Sequence, residues 1–142
     1  MNAIDTNILV YAVDINEPAK SRRAAELIRE LAAVNSPLVV PWQAAAEFLA
    51  CLRRWEEARR INRSDTEAYL NQFVLSLPIV YPTTKSLQLS LDLTNRFSLS
   101  HWDSMMLAAC VEGGVDVLYS EDLGNGMSYD SVKVVNPFIA PG

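Results

Sequence analysis

Four acidic residues stand where one parallel sheet would bring their chemistry together. Asp5 follows the opening apolar stretch, and Asp122 follows the run Val117-Leu118-Tyr119. Glu47 and Asp103 are expected in the first turns of two helices that begin at Trp42 and His101. Two carboxylates about 4 Å apart repel by roughly 4 kcal/mol at an effective dielectric near 20, so such a cluster calls for a cation or a proton. A divalent metal resolves the repulsion and activates water against a phosphodiester, and the pattern reads first as that of a metal-dependent nuclease.

Placing those acids requires alternating strands and helices. Met1 to Asp5 reads as a short apolar strand, with Ile8 to Val13 continuing as an apolar turn or helix. Pro18 marks the next helix start, since proline suits a first turn, and Ala24, Leu27, Ile28 and Leu31 form its apolar stripe. Leu38-Val39-Val40 reads as a strand, followed by a helix from Trp42 to about Arg60 with Ala45, Phe48, Leu49 and Leu52 inward. Asn62 to Asp65 opens a further helix that Pro78 stops, and Ile79-Val80-Tyr81 is the third strand. Lys85 to Phe97 is expected helical through Leu87, Leu91 and Leu93, and the Asp103 helix stops at Gly113-Gly114. Val117 to Tyr119 and Val132 to Val135 complete the strands around a glycine-containing turn. Short β-branched strands alternating with helices predict a parallel sheet covered on both faces. Ligands of such sheets bind beyond the carboxyl ends of the strands, where strand order reverses. If the first and fourth strands are neighbours there, Asp5 and Asp122 face each other.

The 142 residues and 50% hydrophobic composition suit one domain over residues 1–142. No apolar run approaches the roughly 18 residues of a membrane span, and no basic leader precedes the first strand, so a cytoplasmic protein with no membrane role is expected. Cys51 and Cys110, in alanine-rich helical surroundings, read as buried free thiols. A net charge of −5 argues at first against a polyanionic partner. The distribution changes this: nine of the 12 basic residues fall between Lys20 and Arg63, against five acids, while no Lys or Arg separates Arg96 from Lys133. One lobe is suited to a polyanion and the other to metal, although the basic span also fits a solvated helix surface.

Each acid has an ordinary structural competitor. Asp5 suits a helix N-cap, Asp103 completes the capping-box pattern Ser100-His101-Trp102-Asp103, and Asp122 suits a turn. Glu47 is harder to explain away, because its helix neighbours Ala44, Ala50 and Cys51 are small and apolar. His101, the single histidine, suits a local polar contact, since no activated nucleophile such as a Gly-x-Ser-x-Gly elbow is present. Trp42, Trp55 and Trp102 read as core or interface aromatics.

From Ile4-Asp5-Thr6-Asn7 through Glu47-Phe48 and Trp102-Asp103 to Leu118-Tyr119-Ser120-Glu121-Asp122-Leu123, with the tail Val134-Val135-Asn136-Pro137-Phe138, the chain resembles a PIN domain, and within that family the VapC-type toxin ribonucleases. Two small departures are Ser104, where alanine is common, and Ser120, where threonine is commoner. The resemblance implies a three-layer α/β/α fold with a parallel sheet of about five strands in the order 3-2-1-4-5. It implies metal-site acids at Asp5, Glu47, Asp103 and Asp122, supported by Thr6, Asn7 and Ser120. It further implies Mg²⁺ or Mn²⁺, endonucleolytic hydrolysis of RNA, a homodimer and a cognate antitoxin. On this view Asp5, Asp103 and Asp122 hold one or two ions, Glu47 orients or deprotonates the attacking water, and arginines of the basic span position phosphates. The rival readings are a non-catalytic PIN-like binding module, a housekeeping RNA-processing or DNA nuclease, and a phosphatase. A phosphatase would need a second Asp two residues after the first, where this chain has Asn7.

Overall fold

Ile4, Val40, Leu118 and Val134 are withdrawn from solvent, and each lies in a strand too short to shield itself. Helices must therefore cover the sheet. The structure, a computed structural model, describes residues 1–139; residues 140–142 of the expected domain lie outside the described residues. The order is β1 (Asn2–Ile4), α1 (Thr6–Val13), α2 (Pro18–Ala32), β2 (Leu38–Pro41), α3 (Trp42–Glu57), α4 (Arg63–Leu70), β3 (Ile79–Val80), α5 (Thr84–Phe97), α6 (His101–Glu112), β4 (Val117–Tyr119), β5 (Ser128–Tyr129) and β6 (Val132–Val135). A π-helical turn at Asn71–Leu75 extends α4. Every residue of β2 is buried, which requires cover on both faces of the sheet. α1 packs on α2 and α3, and α5 packs on α6.

The sheet runs β3-β2-β1-β4-β6-β5. The five expected strands keep their 3-2-1-4-5 order and are parallel; the correction is a sixth strand, β5, antiparallel to β6 at the edge. Tyr129 explains it. Its ring is buried and meets Phe97 edge-on at 5.0 Å, which holds two otherwise turn-like residues in pairing register. Asp130 then turns back with φ 53° and is gripped by Arg96 Nη1 at 2.8 Å.

Two further expectations change. Leu87 and Leu91 are 56% and 69% exposed, whereas Ser86, Ser90 and Leu93 are buried. The inward face of α5 carries serines whose hydroxyls bond locally: the Thr83 N–H donates to Ser86, and Ser90 donates to the Leu87 carbonyl. Glu47 lies in the second turn of α3 rather than the first, because α3 begins at Trp42. Ser104 is fully buried and shares a 2.7 Å hydrogen bond with Thr94, which gives this hydroxyl a partner between α5 and α6. Gly113 allows α6 to end against the sheet: a Cβ there would stand 2.5 Å from Val80 Cγ1.

Leu118 lies fully buried in β4 between β1 and β6. Leu118→Ala is expected to lower unfolding free energy by about 2–5 kcal/mol in urea melts, with the far-ultraviolet spectrum retained.

Candidate active site

Parallel pairing of β1 with β4 sets Ile4 beside Tyr119, so the next residues of the two chains, Asp5 and Ser120, meet at the carboxyl edge of the sheet. The Asp5 N–H donates to the Tyr119 carbonyl at 2.9 Å, and the Ser120 hydroxyl donates to Asp5 Oδ2 at 2.7 Å. Asp5 is also the N-cap of α1, its Oδ1 accepting the Thr6 N–H at 2.6 Å. The capping and site roles thus coexist in one carboxylate, which has lone pairs enough for both.

The first turn of α1 carries the connection outward. Thr6 Oγ1 donates to Glu47 Oε2 at 2.7 Å, and Asn7 Nδ2 donates to Asp122 Oδ2 at 3.0 Å. Asn7 Oδ1 accepts the Glu121 N–H at 3.4 Å, while Ser120 Oγ accepts the Asp122 N–H at 3.2 Å. Asp5, Glu47 and Asp122 are thereby joined through the three expected supporting residues, Thr6, Asn7 and Ser120. Burial pushes the Asp5 carboxyl above its ordinary value; hydrogen bonds from Ser120 and Thr6 pull it down, while the Asp122 and Glu47 charges push it further up.

Asp103 stands apart from this network. It occupies the first turn of α6, where its N–H donates to Ser100 Oγ at 3.2 Å. The reciprocal carboxylate bond of a capping box forms in α4, between Asp65 and the Asn62 N–H, and not in α6. Gln43, which sequence reasoning passed over, ties Glu47 to the backbone of Trp102, the residue before Asp103. Its Nε2 donates to Glu47 Oε1 at 2.9 Å and to the Trp102 carbonyl at 3.0 Å. The available signal was its spacing, four residues before Glu47 on one helix face.

A cleft of about 440 Å³ opens on this edge, lined by Thr6, Asn7, Val10, Tyr11, Glu47, Ala50, Cys51, Arg54 and Asp122. Its rim is braced by Lys20, whose ammonium binds Glu121 and the Tyr11 hydroxyl and lies over the Tyr11 and Phe138 rings. Asp5, Glu47, Asp103 and Asp122, with the Thr6 and Asn7 side-chain oxygens, are hard donors chemically suited to Mg²⁺ or Mn²⁺. Among the described residues, no three acidic, histidine or cysteine side chains are gathered into a ready ion site. The carboxylate oxygens of Asp5, Glu47 and Asp122 accept hydrogen bonds from Thr6, Ser120, Gln43 and Asn7.

Rival nucleophiles are poorly placed. Burial raises the thiols of Cys51 and Cys110, the latter to about 12 with a further push from Asp5. His101 makes an edge contact with the Trp102 ring, the centroids 4.5 Å apart. Trp55 packs against the core, whereas Trp42 and Trp102 are 50% and 63% exposed.

The raised Asp5 pKa fixes a sign. Above that value the ionised group weakens the folded chain; below the ordinary 3.8 both folded and unfolded forms are protonated and the penalty vanishes. In metal-free buffer Asp5→Asn is expected to raise the melting temperature at neutral pH, with the gain shrinking as pH falls toward 3.8. Thermal melts of both proteins across that range check this.

Comparison with known proteins agrees with the architecture. No curated protein sequence matches the chain. Among solved structures, Mycobacterium tuberculosis VapC20, a sarcin-ricin loop cleaving toxin, superimposes with a TM-score of 0.64 at 14% identity, over 86% of this chain and 90% of that one. A toxin-antitoxin complex from Klebsiella pneumoniae gives a TM-score of 0.66 at 17% identity, over 97% of this chain and 98% of that one. A family model described as PIN domain matches residues 3–124, from within β1 to just past Asp122. Since that span holds the whole acidic cleft, the chain belongs to the PIN domain family.

Proposed function

We propose that this chain is a metal-dependent endoribonuclease acting as the toxin of a toxin–antitoxin pair, a single domain working in the cytoplasm as a homodimer. The observation that carries this reading is the meeting of Asp5, Glu47 and Asp122 at one sheet edge, joined through Thr6, Asn7 and Ser120. Asp5, Asp103, Asp122 and Glu47 would hold Mg²⁺ or Mn²⁺. When bound, such an ion makes water more acidic and offsets charge developing at phosphorus. Glu47 is the group to orient water and take its proton, because Thr6 and Gln43 fix both of its oxygens in place. Asp5 anchors the centre, since its carboxylate is tied to both the sheet and α1.

RNA as substrate is supported by the likeness to VapC20, a sarcin-ricin loop cleaving toxin, and an antitoxin partner by the likeness to the Klebsiella toxin-antitoxin complex. A second copy has apolar surface available to it in Leu87 and Leu91, exposed one turn apart on α5. Among the described residues, no helix is long and apolar enough to cross a membrane.

Asp5→Asn and Asp103→Asn are each expected to abolish Mn²⁺-dependent RNA cleavage while the fold survives. Full activity in either variant removes that residue from the mechanism. Calorimetric titration with Mn²⁺ separates the nuclease from a non-catalytic module, which needs no ion. Leu91→Glu is expected to lower the sedimenting mass from dimer to monomer; an unchanged mass places the second copy elsewhere.

A further inference from the structure

We propose that Arg54 is the residue that grips a phosphate of the RNA flanking the scissile bond. The inference rests on the nuclease reading above and assigns one cation within the same site. Of the basic residues between Lys20 and Arg63, Lys20 is engaged with Glu121, Arg23 with Glu30, Arg60 with Asp14 and Arg63 with Glu67. Arg22, Arg29, Arg53, Arg54 and Arg59 make no ion pair among the described residues. Only Arg54 of these lines the acidic cleft; Arg53 and Arg59 line separate hollows.

Glu47 and Arg54 are seven residues apart on α3, two turns along one face, or about 10 Å at the usual helical rise. Arg54 therefore shares a cleft with Glu47 and Asp122 without forming an ion pair to either, among the described residues. An arginine serving only to balance those acids would pair with them, as Lys20 pairs with Glu121 at the rim. Arg54 is an exposed residue, and a guanidinium offers a planar fork that matches phosphate oxygens two at a time. The separation from Glu47 suits a neighbouring phosphate rather than the one under attack. A strand whose scissile phosphate lies at the acids would thus be anchored by Arg54, within the Lys20 to Arg63 stretch that holds nine of the 12 basic residues.

Two measurements test the assignment. In the first, Arg54→Ala is assayed on an RNA that the chain cuts in an Asp5-dependent manner. KM is expected to rise roughly tenfold with kcat unchanged, and Arg54→Lys to recover much of the loss. In the second, a labelled single-stranded RNA of mixed sequence is bound by Asp5→Asn with and without Arg54→Ala across a salt series. The slope of log affinity against log salt is expected to become shallower by about 0.7 when Arg54 is removed. Arg53→Ala, one residue away but facing another hollow, is expected to change both readouts less. Asp5-dependent cleavage with KM and salt slope indifferent to Arg54 overturns the phosphate contact and leaves the nuclease reading standing. Arg54-dependent binding without any cleavage keeps the contact and overturns the nuclease. An equal effect of Arg53→Ala reduces Arg54 to general surface charge and overturns the assignment.

Discussion

Everything at the functional edge depends on the buried carboxylate of Asp5. Parallel pairing of β1 with β4 leaves it opposite Ser120, where water no longer screens it. A buried ionised group is costly unless donors surround it, and two are supplied by chain geometry: the Ser120 hydroxyl and the Thr6 N–H. Accepting the second bond starts α1. Thr6 and Asn7 are consequently fixed in the first helical turn, where one reaches Glu47 and the other Asp122. The joint that begins the helix is the same joint that assembles the site.

This explains why much of the edge is legible in the sequence. Apolar strands ending in polar residues locate the carboxyl ends, and parallel α/β sheets place chemistry there. Asp5, Thr6, Asn7, Ser120 and Asp122 all follow strands directly, so their meeting required only that β1 and β4 be neighbours. The less legible features depend on contacts far apart in sequence or on buried polar atoms. Leu87 and Leu91 satisfy an apolar periodicity and yet face outward, because Ser86 and Ser90 occupy the inner face with their hydroxyls satisfied locally. β5 is held by the packing of Tyr129 on Phe97, which no local pattern announces. The Lys20–Glu121 brace joins residues on opposite ends of the chain.

Net charge likewise misleads until the pairs are known. The chain is acidic overall, but Lys20, Arg23, Arg60, Arg63 and Arg96 are engaged with specific carboxylates. Exposed ion pairs contribute at most about 1 kcal/mol each, so their value lies in geometry more than in stability. Lys20 fixes the loop that presents Asp122, and Arg96 fixes the turn at Asp130. What this pairing leaves over, rather than the total, determines which cations face a ligand.

The contrast between Asp5 and Asp103 carries the division of labour furthest. Asp5 is immobilised by the sheet, by α1 and by Ser120, so its position is set by the fold itself. Asp103 is half-buried at the start of α6, and its neighbour Trp102, not its carboxylate, is tied to Glu47 through Gln43. Hydroxyl and amide donors stand between Asp5, Glu47 and Asp122, linking the three while keeping their charges apart. Such a scaffold supplies the acidic edge with donors from the chain itself. The bonds from Thr6 to Glu47 and from Asn7 to Asp122 join side chains on separate segments of the chain, whereas those to Asp5 are part of the sheet edge and the start of α1.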